Sequence, residues 1–248
     1  MKLVIIAAGK GSRLKSETKN NPKALTVING HTIIDVILNN CVVNGINEIV
    51  IITGYDKTSI KSYLDGKWDN LNIDYIYNDE WNLENGISVL KAKSLIDNND
   101  DFMISMSDHL YFADMMKKVK ESSLSNRVVN VGLDFNINDI FDIDDGMKVF
   151  AQPDTMMVQS MSKKLKSYNA IDVGLFKCSY QFFSFLENLN KNSSCSLSAG
   201  CNELITQELL GGVDIRDSFW LDIDTPDALH FSRNNSRVSE LLKSQNSN

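Results

Sequence analysis

The chain alternates between short unbroken apolar runs and stretches whose apolar residues recur at helical spacing. Residues 3–7 and 49–52 are unbroken runs, and residues 73–77 and 102–106 are apolar apart from Asp74 and Ser105. Runs of this kind are typical of strands buried on both faces. The first helical stretch starts at Thr32, with Asp35 three residues later, and stops at Gly45. This order predicts a parallel sheet covered by helices, with ligands at the carboxyl ends of its strands.

The middle of the chain is less regular, and turn residues divide it into short strands. These predicted strands cover residues 127–133, 147–151, 156–161 and 171–176. With the first part, they indicate an α/β fold: a Rossmann-like three-layer sandwich with a mixed, mostly parallel central sheet. We expect a single domain over residues 1–248.

Three helices are predicted near the C-terminus. Ser179 caps the first, whose aromatic stripe over residues 182–189 suits the core or a dimer contact. The second covers residues 197–210 and stops at Gly211-Gly212. Thr225 is a natural N-cap and Pro226 a natural first residue for the last helix, which we expect to cover about residues 225–243.

Composition limits the partners of this chain. Its 25 basic and 32 acidic residues give a formal charge of −7, so there is no global basic field to attract nucleic acid or anionic lipid. No apolar run approaches the roughly 18 residues of a membrane span, and the four cysteines form no C-x-x-C pair. We expect a cytoplasmic protein that binds no nucleic acid and does not insert into a membrane.

The loop after the first apolar run has the composition of a phosphate site. It reads Ala7-Ala8-Gly9-Lys10-Gly11-Ser12-Arg13. The glycines let successive N–H groups point at one spot, and the basic side chains, with Lys23 further on, supply positive charge. A Rossmann dinucleotide fingerprint needs a glycine where Leu14 stands, and no Gly-Lys-Ser or Gly-Lys-Thr completes the other common phosphate loop. The sequence therefore predicts a third kind of phosphate loop.

A candidate metal ligand follows the fourth apolar run. Asp108 lies just beyond it, on the same rim as the phosphate loop, where a carboxylate is well placed to hold Mg²⁺. Asp108 is also a candidate N-cap for the helix that carries Ala113, and one residue can serve both purposes. We do not expect the neighbouring His109 to act as a base, since phosphate oxygens are already deprotonated; a structural or hydrogen-bonding role is favoured.

Two motifs near the N-terminus resemble those of a known family. AAGKGSRL at residues 7–14, followed by PKAL at 22–25, is similar to the signature of nucleotidyltransferases, which move a nucleoside monophosphate from an NTP to a phosphorylated acceptor. The resemblance implies that Arg13 and the loop amides hold the leaving pyrophosphate and that Lys23 holds the α-phosphate. Thr53, Gly54 and Ser107, which follow neighbouring strands, are also predicted to bind the nucleotide.

The run NGISVL at residues 85–90 resembles a segment of inositol-phosphate cytidylyltransferases that touches the base and sugar. It adds Asn85, Gly86 and Ser88 to the predicted nucleotide site, where the space at Gly86 and the hydroxyl of Ser88 would suit a pyrimidine. An ordinary helix start capped by Ser88 is an equally good interpretation.

Three residues are predicted to meet the acceptor. Asp172, in the run IDVG, resembles the family's DxG element, whose carboxylate holds acceptor hydroxyls. Lys148 and Lys163 are the candidates for the acceptor's phosphate, although Lys163 and its neighbour Lys164 also suit a solvated turn.

The stretch FWLDIDTPDAL at residues 219–229 is similar to the family's closing motif. Strand-like alternation puts Asp222 and Asp224 on the same side, where they would complete a magnesium site with Asp108. Whether one or both meet the metal is open.

These motifs occur in the family's order over most of the chain. They most resemble the cytidylyltransferase half of enzymes that activate inositol 1-phosphate, which implies CTP, a small phosphorylated acceptor and Mg²⁺. The nucleotide-binding half would be about residues 1–125 and the acceptor-binding half about 126–224. Such enzymes often carry a membrane synthase; with no apolar span here, we expect any such partner to be a separate protein. A homodimer is an open alternative.

Other interpretations compete with this one. NNPKAL and YNDEW are also similar to phosphocholine and aminoethylphosphonate cytidylyltransferases, in which Trp81 or Tyr77 would face an amine through cation–π attraction. A sugar-1-phosphate nucleotidyltransferase that uses another NTP is a further possibility. A nucleotide-binding regulator without activity is disfavoured because the expected Arg, Lys and Asp positions are filled, and a dehydrogenase is weaker still.

Overall fold

The computed structural model describes residues 1–18, 21–192 and 194–245. Its strands are β1 (Lys2–Ala7), β2 (Val27–Ile28), β3 (His31–Thr32), β4 (Glu48–Thr53), β5 (Asn72–Tyr77), β6 (Asp101–Met106), β7 (His109–Tyr111), β8 (Val129–Asp134), β9 (Lys148–Ala151), β10 (Val158–Ser162), β11 (Ala170–Ser179), β12 (Leu210–Asp214) and β13 (Trp220–Asp222). Nine of them form one sheet in the order β10, β9, β11, β6, β1, β4, β5, with β8 paired to β11 and β12 to β8. Two small sheets, β2 with β3 and β7 with β13, accompany it.

β1 lies at the centre of the parallel part of this sheet. It pairs in parallel with β4 and β6, and β4 pairs in parallel with β5. Leu3 and Ile5 point into one apolar cluster, while Val4 and Ile6 point into the other. Burial on both faces explains the unbroken apolar run in the sequence, and it brings the carboxyl ends of these strands to one rim.

Helices cover both faces of the sheet. They are α1 (Lys15–Thr18), α2 (Ile33–Val43), α3 (Ser59–Leu64), α4 (Asn85–Lys91), α5 (Ala113–Glu121), α6 (Phe182–Asn192), α7 (Leu197–Thr206), α8 (Pro226–Asn234) and α9 (Ser236–Gln245). α2, α5 and α9 supply apolar side chains to one cluster, and α4, α6 and α7 to the other. The predicted three-layer α/β sandwich with a mixed, mostly parallel sheet is confirmed.

β11 connects the two parts of the chain. This ten-residue strand pairs antiparallel with β6, β8 and β9, so strands from before and after residue 126 share one sheet. None of the helices in the part of the chain that the structure describes has the length and apolar character of a membrane span.

Local signals placed several helix ends correctly. Thr32 accepts a hydrogen bond from the Asp35 N–H at the start of α2, and Gly45, just past its end, has φ +65°. Thr225 accepts from the Ala228 N–H, with Pro226 as the first residue of α8. These caps depend on residues three positions apart and so are legible in sequence.

Three predictions about the last third of the chain were wrong. Ser179 is not a cap: it ends β11, and α6 begins three residues later, at Phe182. α7 stops at Thr206, and Gly211-Gly212 lie inside β12. Contacts there leave no room for side chains, since a Cβ on Gly211 would lie 2.3 Å from Asn130 Oδ1. The C-terminal helix is two helices, α8 and α9, separated at Asn235.

Candidate active site

The phosphate loop leaves β1 at the central rim and turns at Gly11. The Leu14 N–H donates to the Gly11 carbonyl at 3.1 Å, and buried Leu14 anchors the turn. Gly11 has φ +60°, and a Cβ there would lie 2.6 Å from Lys23 Cγ. Glycine is therefore required both by the backbone conformation and by the passage of the Lys23 side chain against the loop.

Lys23 crosses the rim to a carboxylate on the neighbouring strand. Its Nζ donates to Asp108 Oδ2 at 3.0 Å, and the two side chains are only 16% and 17% exposed. Burial disfavours the charged carboxylate, but Lys23 and His109 outweigh it and hold the pKa of Asp108 well below its usual range. Lys23, predicted to hold the α-phosphate, and Asp108, predicted to bind Mg²⁺, thus neutralise each other.

A second carboxylate reaches Asp108 through the small β7–β13 sheet. His109 on β7 is the register partner of Asp222 on β13, and the Ile223 N–H donates to the Asp108 carbonyl at 2.8 Å. His109 Nδ1 donates to Asp108 Oδ1 at 2.8 Å and lies 3.9 Å from Asp222 Oδ1. One ligand atom from each of Asp108, His109 and Asp222 lies within 4.8 Å of the other two.

This cluster fits a divalent cation. Among the described residues, buried Asp222 Oδ1 has no hydrogen-bond partner. Burial, with smaller contributions from the carboxylates of Asp108 and Asp224, outweighs the opposing effect of His109 and raises the pKa of Asp222 to about 6. Burial lowers the pKa of His109, yet Asp222 and Asp108 outweigh this and raise it to about 9. Carboxylate oxygens suit Mg²⁺, so Asp108 and Asp222 are the candidate ligands, and His109 orients Asp108.

Asp224 takes part in a different set of ion pairs. Arg13 contacts the Asp224 carboxylate, and Arg13 Nη1 also donates to Asp145 Oδ2 at 2.8 Å. Asp145 Oδ1 in turn accepts from Lys163 Nζ at 2.7 Å. Asp145 therefore binds both Arg13 and Lys163 where the phosphate loop meets the 142–146 loop. Hydrogen bonds from Lys163 and Arg13 lower the pKa of Asp145 to about 2.

The phosphate loop borders a cleft that we call the nucleotide cleft. The residues that line this cleft and were also predicted as site residues from the sequence are Ala7, Ala8, Gly9, Gly11, Ser12, Arg13, Lys23, Asn85, Ser88, Ser107 and Asp108. Trp81, Leu83 and Met106 also line it. Most of the residues predicted to bind the nucleotide therefore come together at one place.

Four of the residues predicted to bind the nucleotide do not line this cleft. Lys10 Nζ lies over the Tyr55 ring, 4.9 Å from its centroid. Thr53 is buried and donates to the Ile76 carbonyl at 3.4 Å. Gly54 and Gly86 allow close packing behind the cleft, since a Cβ would meet Trp81 at 2.3 Å and the Cys195 carbonyl at 2.5 Å respectively.

Both predicted N-cap alternatives were wrong. Ser88 lies inside α4, which starts at Asn85, and its buried hydroxyl accepts a hydrogen bond from Asn78 Nδ2 at 3.0 Å. Asp108 is separated from α5 by the whole of β7, and Phe112 precedes that helix. Neither side chain caps a helix, so both are available to the clefts.

A second cleft, the acceptor cleft, adjoins the first through shared Asn85 and Met106. Its charged and aromatic lining residues are His109, Phe141, Asp142, Asp145, Lys163, Asp172, Phe176, Trp220, Asp222 and Asp224. Asp172 Oδ1 accepts from the Gly174 N–H at 2.8 Å. The cluster of Asp108, His109 and Asp222 thus lies where the two clefts meet.

Lys148 is not placed as the sequence suggested. Its buried Nζ donates to the carbonyls of Ile143 and Asp144, both at 3.1 Å, and to the Lys163 carbonyl at 3.2 Å. All three ammonium protons are used by backbone groups. Lys148 therefore holds the 142–146 loop in place, whereas Lys163 lines the acceptor cleft.

Two residues of the site were missed from sequence. Asp145 sits in the acidic run FDIDDG, which resembles a solvated loop until Arg13 and Lys163 are seen beside it. Trp220 precedes the carboxylates of the closing motif, and its ring stacks on His109 with centroids 5.6 Å apart. The position of Trp220, two residues before the candidate ligand Asp222, was the sequence feature that could have identified it as a site residue.

A glycine-rich loop, a lysine and paired carboxylates thus lie together on one rim of an α/β sheet. The chain belongs to the nucleotidyl transferase family, whose model matches residues 2–237. The predicted nucleotidyltransferase family is thereby confirmed.

Individual relatives show how far the likeness extends. The bifunctional protein GlmU of Methanococcus maripaludis is 29% identical over 245 residues, which cover 98% of this chain and 56% of that protein. This chain therefore spans little more than half the length of that relative. The CTP:phosphoglutamine cytidylyltransferase of Campylobacter jejuni is 30% identical over 77% of this chain and 80% of its own. The inositol-1-phosphate CTP transferase from T. maritima shares the fold, with a TM-score of 0.84 and 20% identity over 98% and 95% of the two chains.

Proposed function

We propose that this protein transfers CMP from CTP to a small phosphorylated alcohol, inositol 1-phosphate, and releases pyrophosphate. The observation that carries the proposal is the meeting of the two clefts at Asp108 and Asp222, with Lys23 on the nucleotide side and Lys163 on the acceptor side. Two anions that react with each other need such a junction, because each must be neutralised from its own side.

The proposed step is an in-line displacement. A phosphate oxygen of the acceptor attacks the α-phosphorus of CTP, and the bond to the bridging oxygen of the β-phosphate breaks, so pyrophosphate leaves with that electron pair. Arg13 and the loop amides bind the leaving pyrophosphate, and Lys23 binds the α-phosphate. Asp108 and Asp222 would hold Mg²⁺, which would supply positive charge beside the reacting phosphates. The acceptor oxygen is already deprotonated, so the chain needs no base.

Binding of CTP exchanges partners within the site. Arg13 now pairs with Asp145 and Asp224, and Lys23 with Asp108. Phosphate oxygens of the nucleotide offer both cations charge-assisted hydrogen bonds of the same kind in a partly buried cleft. The ion pairs of the free protein therefore hold the cations near the positions where the triphosphate needs them.

The preference for CTP rests on α4 and on likeness to relatives. Ser88 Oγ accepts from Asn78, which leaves its own hydroxyl proton to donate to a pyrimidine carbonyl. Asn85 lines both clefts while its Oδ1 accepts from the Leu197 N–H at 2.9 Å. The C. jejuni relative named for CTP supports the same base.

The preference for a polyol rests on the carboxylates of the acceptor cleft. Asp172 and Asp142 present oxygens that accept hydrogen bonds from hydroxyls, and Lys163 is the cation nearest to receive the acceptor's phosphate. Trp81 lies in the nucleotide cleft, and the Tyr77 ring already has Lys57 Nζ 5.3 Å from its centroid. Neither aromatic ring lines the acceptor cleft, which disfavours the amine-binding role considered for them.

Pyrophosphate release from a matrix of four NTPs and several acceptors tests the proposal. With magnesium present, we expect CTP and inositol 1-phosphate to give the highest kcat/KM among inositol, choline, glycerol, sugar and aminoethylphosphonate acceptors. Preference for an amine-bearing acceptor or another NTP would replace the substrate assignment. CTP binding without turnover on any acceptor would instead favour a regulator.

A pH profile tests the role of Asp172. Burial raises the pKa of Asp172 to about 6, although the Gly174 N–H and His109 partly oppose it. The carboxylate that accepts acceptor hydroxyls is thus present above pH 6 and lost below it, so the KM for inositol 1-phosphate should rise as pH falls from 7 to 5. The acceptor's own phosphate also titrates near pH 6. An Asp172→Asn variant separates the two, and an unchanged pH slope in that variant would contradict this role.

A further inference from the structure

We propose that Asp134 and Trp220 are positioning residues for the metal site, because they fix the ring of His109 and, through it, the carboxylate of Asp108. The inference rests on the proposed role of Asp108 and Asp222 as ligands. Neither Asp134 nor Trp220 is a candidate ligand, and neither was singled out by the sequence.

The indole of Trp220 covers one face of the His109 ring. The two rings are nearly parallel, with 9° between their planes and 5.6 Å between centroids. Trp220 and Asp222 are alternate residues of β13, and Asp222 is the register partner of His109. The short strand β13 therefore carries both the candidate ligand Asp222 and the Trp220 ring. Trp220 orients His109, which in turn holds Asp108.

The backbone of β11 also packs closely against the His109 ring. Gly174 in β11 has φ +71°, and a Cβ there would lie 2.9 Å from His109 Nε2. His109 is 8% exposed, and its Nδ1 donates to Asp108 Oδ1 at 2.8 Å. The imidazole is thus held on one face and one edge, so it presents a fixed hydrogen bond to the carboxylate.

Asp134 fixes the indole in turn. Trp220 Nε1 donates to Asp134 Oδ2 at 2.8 Å, while Asp134 Oδ1 accepts from the Asn136 N–H, also at 2.8 Å. Asp134 is only 7% exposed and ends β8. It lines a neighbouring cleft that shares Trp220 and Asp222 with the acceptor cleft, but Asp134 itself does not line the nucleotide or acceptor cleft. Its hydrogen bond from the Trp220 indole is the contact through which we expect it to act.

This arrangement has an energetic consequence. Groups that hydrogen-bond to a metal ligand raise affinity because the ligand no longer has to be ordered when the ion binds. Loss of the indole N–H lets Trp220 shift, which frees His109 and then Asp108. The expected result is weaker metal binding even when no substrate is present.

Mn²⁺ binding measured by electron paramagnetic resonance, without nucleotide or acceptor, tests the proposal. Trp220→Phe keeps an aromatic ring over His109 but removes the N–H, and Asp134→Ala removes its acceptor. We expect each to weaken Mn²⁺ binding on the order of 10-fold. Both substitutions remove the same hydrogen bond. The Mn²⁺ affinity of the double variant should therefore match, within about twofold, that of the single variant that binds Mn²⁺ less tightly.

The matched control is Trp68→Phe. Trp68 Nε1 also donates to an aspartate, Asp35 Oδ1 at 3.2 Å, but it lines neither cleft. Mn²⁺ affinity should be unchanged in this variant. Thermal melts check that all variants fold. If Trp220→Phe does not fold, Asp134→Ala alone tests the proposal. Wild-type affinity in the folded variants, multiplying effects in the double variant, or no Mn²⁺ binding by the wild type would overturn the proposal. Failure of CMP transfer would show separately in the pyrophosphate assay.

Discussion

Replacing Lys23 by alanine is expected to reduce turnover by about 10²–10³ while leaving the protein folded, because removal of one preorganised charge at a reacting centre typically costs this much. Lys23 Nζ donates to Asp108 Oδ2 at 3.0 Å, and the Lys23 side chain passes directly against the phosphate loop at Gly11. Steady-state pyrophosphate release measures kcat, and circular dichroism confirms the fold.

Two further variants show whether charge or shape is lost. Lys23→Met keeps most of the side-chain volume beside Gly11 and should be as slow as Lys23→Ala. Lys61→Ala removes an exposed lysine of α3 whose Nζ lies 5.8 Å from the Tyr75 ring centroid, outside both clefts, and should behave as the wild type. A Lys23→Ala protein with near wild-type turnover would exclude Lys23 from the mechanism.

Conversion of either candidate metal ligand to its amide should be at least as damaging. Asp108→Asn and Asp222→Asn each remove a negative charge from the proposed magnesium site, and the lost Lewis-acid stabilisation is worth several kcal/mol, on the order of 10³ in rate. Both variants should also lose Mn²⁺ binding. Turnover at saturating magnesium and Mn²⁺ titration together measure the effect.

Asp224→Asn distinguishes between the two carboxylates of the closing motif. Asp224 pairs with Arg13, whereas Asp222 Oδ1 has no hydrogen-bond partner among the described residues. We therefore expect Asp224→Asn to retain Mn²⁺ binding. Asp227→Asn, in the exposed first turn of α8, serves as the neutral control. Loss of Mn²⁺ binding in Asp224→Asn but not in Asp222→Asn would reverse the assignment.

Much of the fold could be predicted from the sequence because apolar runs and helix caps depend on residues that are close together in the chain. Strands β1, β4 and β6 follow from apolar runs, since both faces of the sheet are buried there, whereas β5 at the sheet edge is only partly buried. The errors fell where local preference yields to packing. Gly211 and Gly212 look like a helix stop, yet neighbouring side chains occupy the space where a Cβ would stand, and both belong to a strand. Ser179 has the chemistry of a cap but ends the long strand that joins the two parts of the sheet.

The sequence by itself determined the class of chemistry: a glycine-rich loop with Arg13 and Lys23, followed by carboxylates at Asp108 and in the closing motif. Only the tertiary structure decided how these groups pair. Arg13 meets Asp224 across 211 positions of the chain, and Lys23 meets Asp108 across 85. It also showed that Lys148 is occupied by carbonyls and that Asp222 joins Asp108. Residue type decides what a side chain can do, whereas its partner depends on long-range packing that no local pattern encodes.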